Sequence, residues 1–325
     1  MKNYKIVHLA PTPLVGAPSK ISKVLNRVGI ASNCIVCSDY PKALANMFLG
    51  ESFVWNTATA EIKEYIINII EEADILHIHN FLPKELLDIV IQLSIGKKVV
   101  YQIHSPLQEG PCYYPRVDSL PFPIDKKLVV AQYQPRQYSD YTYVPNINLF
   151  EKSVNLRKEG ETLKVLFSPT HNRAGRWNGK SSERLNKLLR SLSTSRQITY
   201  ISIDKPVPPE VLYAIRKSCH ASIDEIITGA FHQVSLEGLS AGNVVINNAD
   251  LFSRNVFKSV VNAQEDPPFF QIDESNCAER LLELANSESL TRYYQERSTS
   301  FFEGYLNPNT LAQRFVDIYD GVMDI

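Results

Sequence analysis

Short apolar runs with a period of two alternate with longer runs whose apolar positions recur every three to four residues. Along one chain this alternation predicts parallel α/β architecture, because each helix must return the chain to start the next strand in the same direction. In the first half the pattern predicts strands at Lys5–Leu9, Asn33–Cys37, Asp74–His79, Lys98–Ile103 and Lys127–Ala131. Helices are predicted at Ser19–Val28, Ala60–Glu72 and Pro83–Leu93. The rhythm restarts with strand Leu163–Ser168, helix Ser181–Leu192, strand Gln197–Ile203 and helix Pro208–Cys219. An apolar-rich helix around Val234, Leu236 and Leu239 and a β-branched strand at Val244–Ile246 follow, and the last third is mostly helical, ending in Pro308–Met323.

Between the two rhythms, residues 146–162 are polar and charged and read as a linker. The expected organisation is a Rossmann-like amino-terminal domain over 1–147, a Rossmann-like carboxyl-terminal domain over 148–305, and a terminal helix over 306–325 packing back toward the first domain. A chain of 325 residues exceeds one ordinary core, which fits two domains. Hydrophobic residues at 44% and charged residues at 21% are those of a globular protein in water. A net charge of −1 gives no basic field to hold nucleic acid or an anionic membrane. No apolar run reaches spanning length; Tyr65–Ile70 is cut short by Glu71 and Glu72. The amino terminus moves directly into a strand pattern without a leader's apolar core, and five scattered cysteines suit a reducing compartment. Both features point to the cytoplasm.

Ligands of open parallel sheets sit beyond the carboxyl ends of the strands, so the loops there are where chemistry is sought. The first, Ala10–Pro18, contains Gly16, which permits close backbone approach, and is followed by Lys20 in the first helical turn. It is not the GxGxxG dinucleotide fingerprint, and nicotinamide chemistry is disfavoured. His77 and His79 lie two apart on a strand and share a face. A metal held there would ask for a carboxylate or thiolate beside them, and none is in view, so a polar strand end is the expectation. His104 ends the strand VVYQIH; it can hold a hydroxyl, act as an acid–base group, or simply cap the strand. The Pro- and Tyr-rich loop after it, residues 108–124, is long enough for a lid or an acceptor loop offering Tyr113, Tyr114 and Arg116; a packed surface loop is the plain alternative. After Phe167 comes a loop with Arg173, Arg176 and Lys180, cations able to neutralise a diphosphate. Arg173 and Lys180 are the expected pair, with Arg176 the substitute.

Gly229 leads into the helix carrying Glu237, whose start is expected to leave N–H groups free for an anion. An acid two turns in can reach sugar or ribose hydroxyls; the plain alternative is a solvated Glu237. Cys34 and Cys37 have CxxC spacing, but a strand pattern turns their sulfurs to opposite faces. No P-loop, HExxH, GxSxG or DxD triplet occurs.

Taken in order, HLAPTPLVGAPSK, ADILHIHN, VVYQIHSP, Tyr143-Val-Pro-Asn-Ile147, SPTHNRAG…GK and GAFHQVSLEGLSAGNVVI resemble the GT-B glycosyltransferases, specifically the large retaining group called family 4. The resemblance covers most of the chain. It implies an α/β GT-B fold of two Rossmann-like domains facing across a cleft. It also implies metal-independent, retaining transfer of a sugar from a nucleotide-diphosphate donor, UDP- or GDP-linked, with no cofactor. The acceptor would be a glycan, a lipid-linked group or a protein in cell-surface glycoconjugate synthesis. Nucleic acid is not expected as a partner; peripheral membrane association is compatible with the reading, and no oligomeric state follows from it.

By carry-over, Arg173 and Lys180 stabilise the departing diphosphate, and Gly16 approaches the donor phosphates. The Gly229–Ala230–Phe231 turn meets phosphate and sugar through its backbone, Glu237 holds ribose hydroxyls, and His104 contacts the transferred sugar. The chain departs from the family where a first glutamate would fall on Gly229. Asp224 is the expected replacement contact, and His232 stands where the family commonly has glycine. That departure leaves the stereochemical outcome open. It also keeps two alternatives alive: a sugar-nucleotide epimerase of the same fold, and a non-catalytic glycosyltransferase-like partner subunit.

Overall fold

The structure is a computed structural model and describes residues 4–40, 48–105, 117–168, 183–203 and 205–324. The chain divides into two compact units, one made of Met1–Ile147 with Pro308–Ile325 and the other of Asn148–Asn307.

The first unit is built on seven parallel strands: β1 Ile6–Ala10, β2 Ser32–Val36, β3 Phe53–Val54, β4 Ile75–His79, β5 Lys98–Ile103, β6 Lys126–Val130 and β7 Thr142–Val144. Their order is β3-β2-β1-β4-β5-β6-β7. The middle strands β1 and β4 are buried at every residue, as a sheet covered on both faces requires. Five strands are those of the sequence pattern with ends shifted by a residue at most. The two short ones, β3 and β7, carry no period of their own and form because β2 and β6 offer an open edge. Helix Ala17–Arg27 buries Ile21, Val24 and Leu25, and helix Ala60–Glu71 buries Ile66 and Ile70. The final helix Pro308–Val322 belongs to this unit: Tyr319 reaches His77, and Tyr4 donates to Asp320.

The second unit has β8 Leu163–Phe167, β9 Ile198–Ser202, β10 Ala221–Ile223, β11 Val244–Asn247 and β12 Phe269–Gln271, all parallel, in the order β12-β11-β10-β8-β9. Its core joins Leu163, Val165 and Phe167 of β8 with Val244 and Ile246 of β11 and with Leu185, Leu189 and Leu281 from the helices.

The polar segment expected to be a linker contains the boundary between the units at Ile147 and Asn148 and is tied to the second unit at Arg157. Arg157 is buried, and its guanidinium donates to the Leu284, Ala285 and Glu161 carbonyls at 2.8, 2.7 and 2.8 Å. The two former close helix Cys277–Asn286, where a cation complements the unpaired carbonyls. One charged residue inside a polar run thus clamps it down, a contact that local composition cannot report.

Both sheets contain one place where strand order reverses, between β1 and β4 in the first unit and between β8 and β10 in the second. Loops leaving neighbouring strands there diverge to opposite faces and open a crevice, the general binding position of such sheets. The loop with Gly16 leaves β1, Asn80 follows β4, the Arg173–Lys180 segment leaves β8, and the Asp224–His232 segment leaves β10.

Candidate functional site

In the first unit, the turn after β1 contains three consecutive left-handed residues, Leu14, Val15 and Gly16, with φ of 48°, 58° and 77°. Leu14 and Val15 have side chains that disfavour this region, so the turn is strained. It is held by the Tyr40 hydroxyl, which accepts from the Val15 N–H at 2.8 Å, and by Lys20 Nζ, which donates to the Val15 carbonyl at 3.1 Å. Gly16 is the residue before helix Ala17–Arg27, and Lys20 is folded over it. Beside it, Asn80 after β4 is also left-handed, at φ 61°. Its Oδ1 accepts the His104 N–H at 2.8 Å, and Gln134 Nε2 donates to the His104 carbonyl at 2.8 Å. The backbone of His104 is therefore fixed from both sides. Strained residues gather at the reversal of strand order and not elsewhere along these strands, which marks the site.

His77 and His79 are not a polar strand end at a surface. Both are fully buried, their rings stacked with centroids 4.1 Å apart, and His8 of β1 joins them. His8 is in direct register with His77, and its Nδ1 lies 3.0 Å from His79 Nε2. His79 Nδ1 in turn lies 2.8 Å from His104 Nε2. Burial lowers all four side chains below the ordinary histidine range, His8 and His104 to about 3, so the cluster is neutral. His8 was the member the sequence concealed: a histidine in an apolar strand far along the chain gives no spacing signal, and only the register of β1 against β4 brings it in.

The two cysteines of the CxxC spacing fall in separate apolar clusters, as a strand dictates. Burial pushes both thiols up to about 12.

In the second unit, two acids follow β10 and are spent differently. Glu225 is fully buried and accepts from the N–H groups of Ile227, Thr228 and Ala230 at 2.8, 2.7 and 3.2 Å and from the Thr228 hydroxyl at 2.7 Å. It folds the turn around its own carboxylate. Asp224 reaches the start of helix Gln233–Ser240, where Oδ2 accepts the His232 N–H at 2.5 Å and the Ser235 hydroxyl at 2.7 Å, and Oδ1 accepts from His232 Nδ1 at 2.9 Å. Burial alone would raise its carboxyl pKa, but His232 and Ser235 outweigh that and hold it below the usual range. At this helix start Asp224 therefore takes one amide, that of the N-cap His232, which corrects the expectation that it is free. The Ala230 N–H is committed to Glu225 within the preceding turn, and the His232 N–H to Asp224, whose carboxylate complements the helix dipole.

Gly229 has φ 79°, and a Cβ added there would lie 2.9 Å from Asp250 Oδ2. Its carbonyl accepts the Asp250 N–H at 3.1 Å and the Ser253 hydroxyl at 3.0 Å. A side chain here would be strained by the backbone and would press on Asp250, which favours glycine at this position. Phe231 is fully buried against Phe257 and Phe269, with ring centroids 4.8 and 5.4 Å away, so its side chain is core and only its backbone faces the turn. Ala230 is buried as well. Glu237 is not solvated: it pairs with Arg216 of helix Pro209–Lys217 at 3.3 Å, and that arginine is almost wholly buried. Arg216 was missed because its partner lies 21 residues away on another element.

Arg173, Arg176, Lys180, Tyr113, Tyr114 and Arg116 lie outside the described residues. Only the anchors of their loops are placed, β8 before the basic segment and His104 before the aromatic one. A groove lined by Lys98, Asp125, Lys126, Arg314 and Asp317 lies at the amino ends of β5 and β6, the opposite end from the reversal-point loops.

No protein-family model and no curated protein matches the chain. Solved structures do match over nearly its full length at low identity. An α-glucosyltransferase bound to UDP and a 13-mer DNA containing an HMU base is 9% identical, covering 98% of this chain and 99% of its own, with a TM-score of 0.62. The pneumococcal O-GlcNAc transferase GtfA, in complex with UDP and GlcNAc, is 8% identical over 99% and 100%, with a TM-score of 0.59. WaaG, a glycosyltransferase involved in lipopolysaccharide biosynthesis, is 11% identical over 96% and 99%, with a TM-score of 0.50. The chain has the GT-B fold of these glycosyltransferases, an α/β architecture with two parallel-stranded sheets.

Proposed function

We propose that the protein is a glycosyltransferase that moves a sugar from a UDP-linked donor to a glycan, lipid-linked or protein acceptor. The observation that carries this reading is positional. In each unit the loops singled out for donor chemistry leave the sheet where strand order reverses, and structural neighbours of the same fold were solved with UDP or a UDP-sugar. Those neighbours are transferases, which favours transfer over epimerisation or a non-catalytic role.

In this reading Arg173 and Lys180 neutralise the charge that develops on the departing diphosphate. They carry that task because the carboxylate of Asp224 already sits at the helix start. Glu237, steadied by Arg216, accepts from ribose hydroxyls. His232 stands beside the phosphates with Asp224 orienting it, so Asp224 acts through His232. Gly16 and its strained turn approach the donor, His104 binds the transferred sugar, and Tyr113, Tyr114 and Arg116 meet the acceptor. The reaction is retaining and requires no metal. The balanced charge argues against nucleic acid as acceptor. No helix among the described residues is long and apolar enough to cross a membrane; we place the reaction in the cytoplasm.

The test is donor hydrolysis and transfer by the purified protein with UDP-glucose, UDP-GlcNAc and GDP-linked sugars, with and without chelator. Release of UDP, unchanged by chelator and lost in Lys180→Ala with unchanged melting, is expected. The anomeric proton signal of the product reads the stereochemistry, and a duplex with an HMU base tests the DNA acceptor. Silence with every donor would overturn the reading.

A further inference from the structure

The four histidines of the first unit do more than fill a core. His8, His79 and His104 form a line of imidazoles with nitrogen–nitrogen separations of 3.0 and 2.8 Å. These are hydrogen-bond distances, so each gap holds one proton. A neutral imidazole carries a single N–H, so a proton fixed in one gap fixes the next. Two arrangements of the line satisfy both gaps. In the first, His8 Nδ1–H donates to His79 Nε2, His79 Nδ1–H donates to His104 Nε2, and His104 keeps its proton on Nδ1. In the second every proton is shifted, and His8 must carry its own on Nε2.

His8 Nε2 decides between them. It is buried and has no hydrogen-bond partner. An orphaned buried N–H is rarer in proteins than an under-satisfied acceptor. The first arrangement leaves only a bare lone pair there, whereas the second buries a donor with nothing to receive it. From this geometry we infer that His8 and His79 are positioning residues that lock His104 as the Nδ1–H tautomer, making it a hydrogen-bond donor to an oxygen of the sugar and not a general base. The role of His104 toward sugar rests on the proposed glycosyltransferase reading; the tautomer lock does not. The line is no proton relay, because its inner end at His8 is sealed.

The same residues are the one group among those described that could hold a metal, with ligand nitrogens of His8, His77 and His79 within 4.8 Å of one another. A tetrahedral shell with bonds of about 2.0–2.1 Å places its nitrogens roughly 3.3 Å apart. Both nitrogens of His79 are already hydrogen-bonded, and no carboxylate or thiolate joins the group. The shared protons account for the cluster better than an ion does.

The experiment is long-range proton–nitrogen correlation NMR on the full chain labelled with ¹⁵N-histidine, with metal content measured on the same sample. The expected result is Nδ1–H on His8, His79 and His104 in the wild type. In His8→Leu the constraint is released and a share of His104 moves to Nε2–H. In His8→Asn, whose amide can donate from the Nδ1 position but can also turn to accept, the share of Nε2–H on His104 falls between wild type and His8→Leu. The KM for nucleotide sugar is expected to rise several-fold in His8→Leu and to rise less in His8→Asn. Nε2–H on His104 in the wild type, or equimolar metal with ligand-shifted nitrogens, overturns the lock. Correct tautomers without sugar transfer from any donor leave the lock standing and defeat the glycosyltransferase reading, so the two fail separately.

Discussion

Asp224 grips His232 at two points, accepting its peptide N–H at 2.5 Å and its ring Nδ1–H at 2.9 Å. One carboxylate therefore starts the helix Gln233–Ser240 and sets the tautomer of a histidine that is 24% exposed beside it. Asp224→Ala is expected to lower unfolding free energy by about 1–3 kcal/mol, the cost of a lost cap and of buried donors left unpaired. It should also weaken UDP binding. Denaturant melts and calorimetry with UDP check both; an unchanged midpoint would show that the carboxylate is dispensable to the helix start.

Arg216 and Glu237 form a pair whose side chains are 1% and 11% exposed. Removing one partner of such a pair strands the other charge away from water. Arg216→Ala should cost about 3–5 kcal/mol, whereas the double variant Arg216→Met/Glu237→Leu should recover much of that loss. A double-mutant cycle by urea unfolding measures the difference. Additive losses would mean the two side chains do not interact.

Placing an acid at this position in Gly229→Glu should destabilise the protein without gain in turnover. The left-handed backbone alone costs a side chain about 1–2 kcal/mol, and the new Cβ meets Asp250 at 2.9 Å. Gly229→Ala separates strain from charge and should show most of the effect. A melting temperature equal to wild type in Gly229→Ala would refute the steric account.

Acid should loosen the first unit before neutral pH does. Histidines in the unfolded chain take up protons near 6.5, while burial holds His8 and His104 at about 3 and His77 and His79 well below 6.5. Their contribution is complete above 6.5 and drains as pH falls toward 3. Each fully buried histidine adds a slope of about 1.4 kcal/mol per pH unit in that window. Amide exchange in β1 and β4 at pH 7.5 and pH 5 should show protection falling steeply, and less steeply in His8→Leu. Equal protection at the two values would contradict the neutral cluster.

The sequence by itself determined most of the strands and helices, because their periods are local signals read within a few residues, and it placed Gly16 after β1 and the cations after β8 as candidates for chemistry. It also flagged Gly229 as anomalous, though not why. The tertiary structure alone decided the partners. The register of β1 against β4 set His8 beside His77, the return of the final helix seated Tyr319 on that cluster, and helix Pro209–Lys217 delivered Arg216 to Glu237. Asp224 likewise became a holder of His232 only when the chain turned back after β10. Such pairings join residues from 8 to 242 positions apart. Periodicity records which face a side chain takes, whereas strand order and packing choose what stands opposite it.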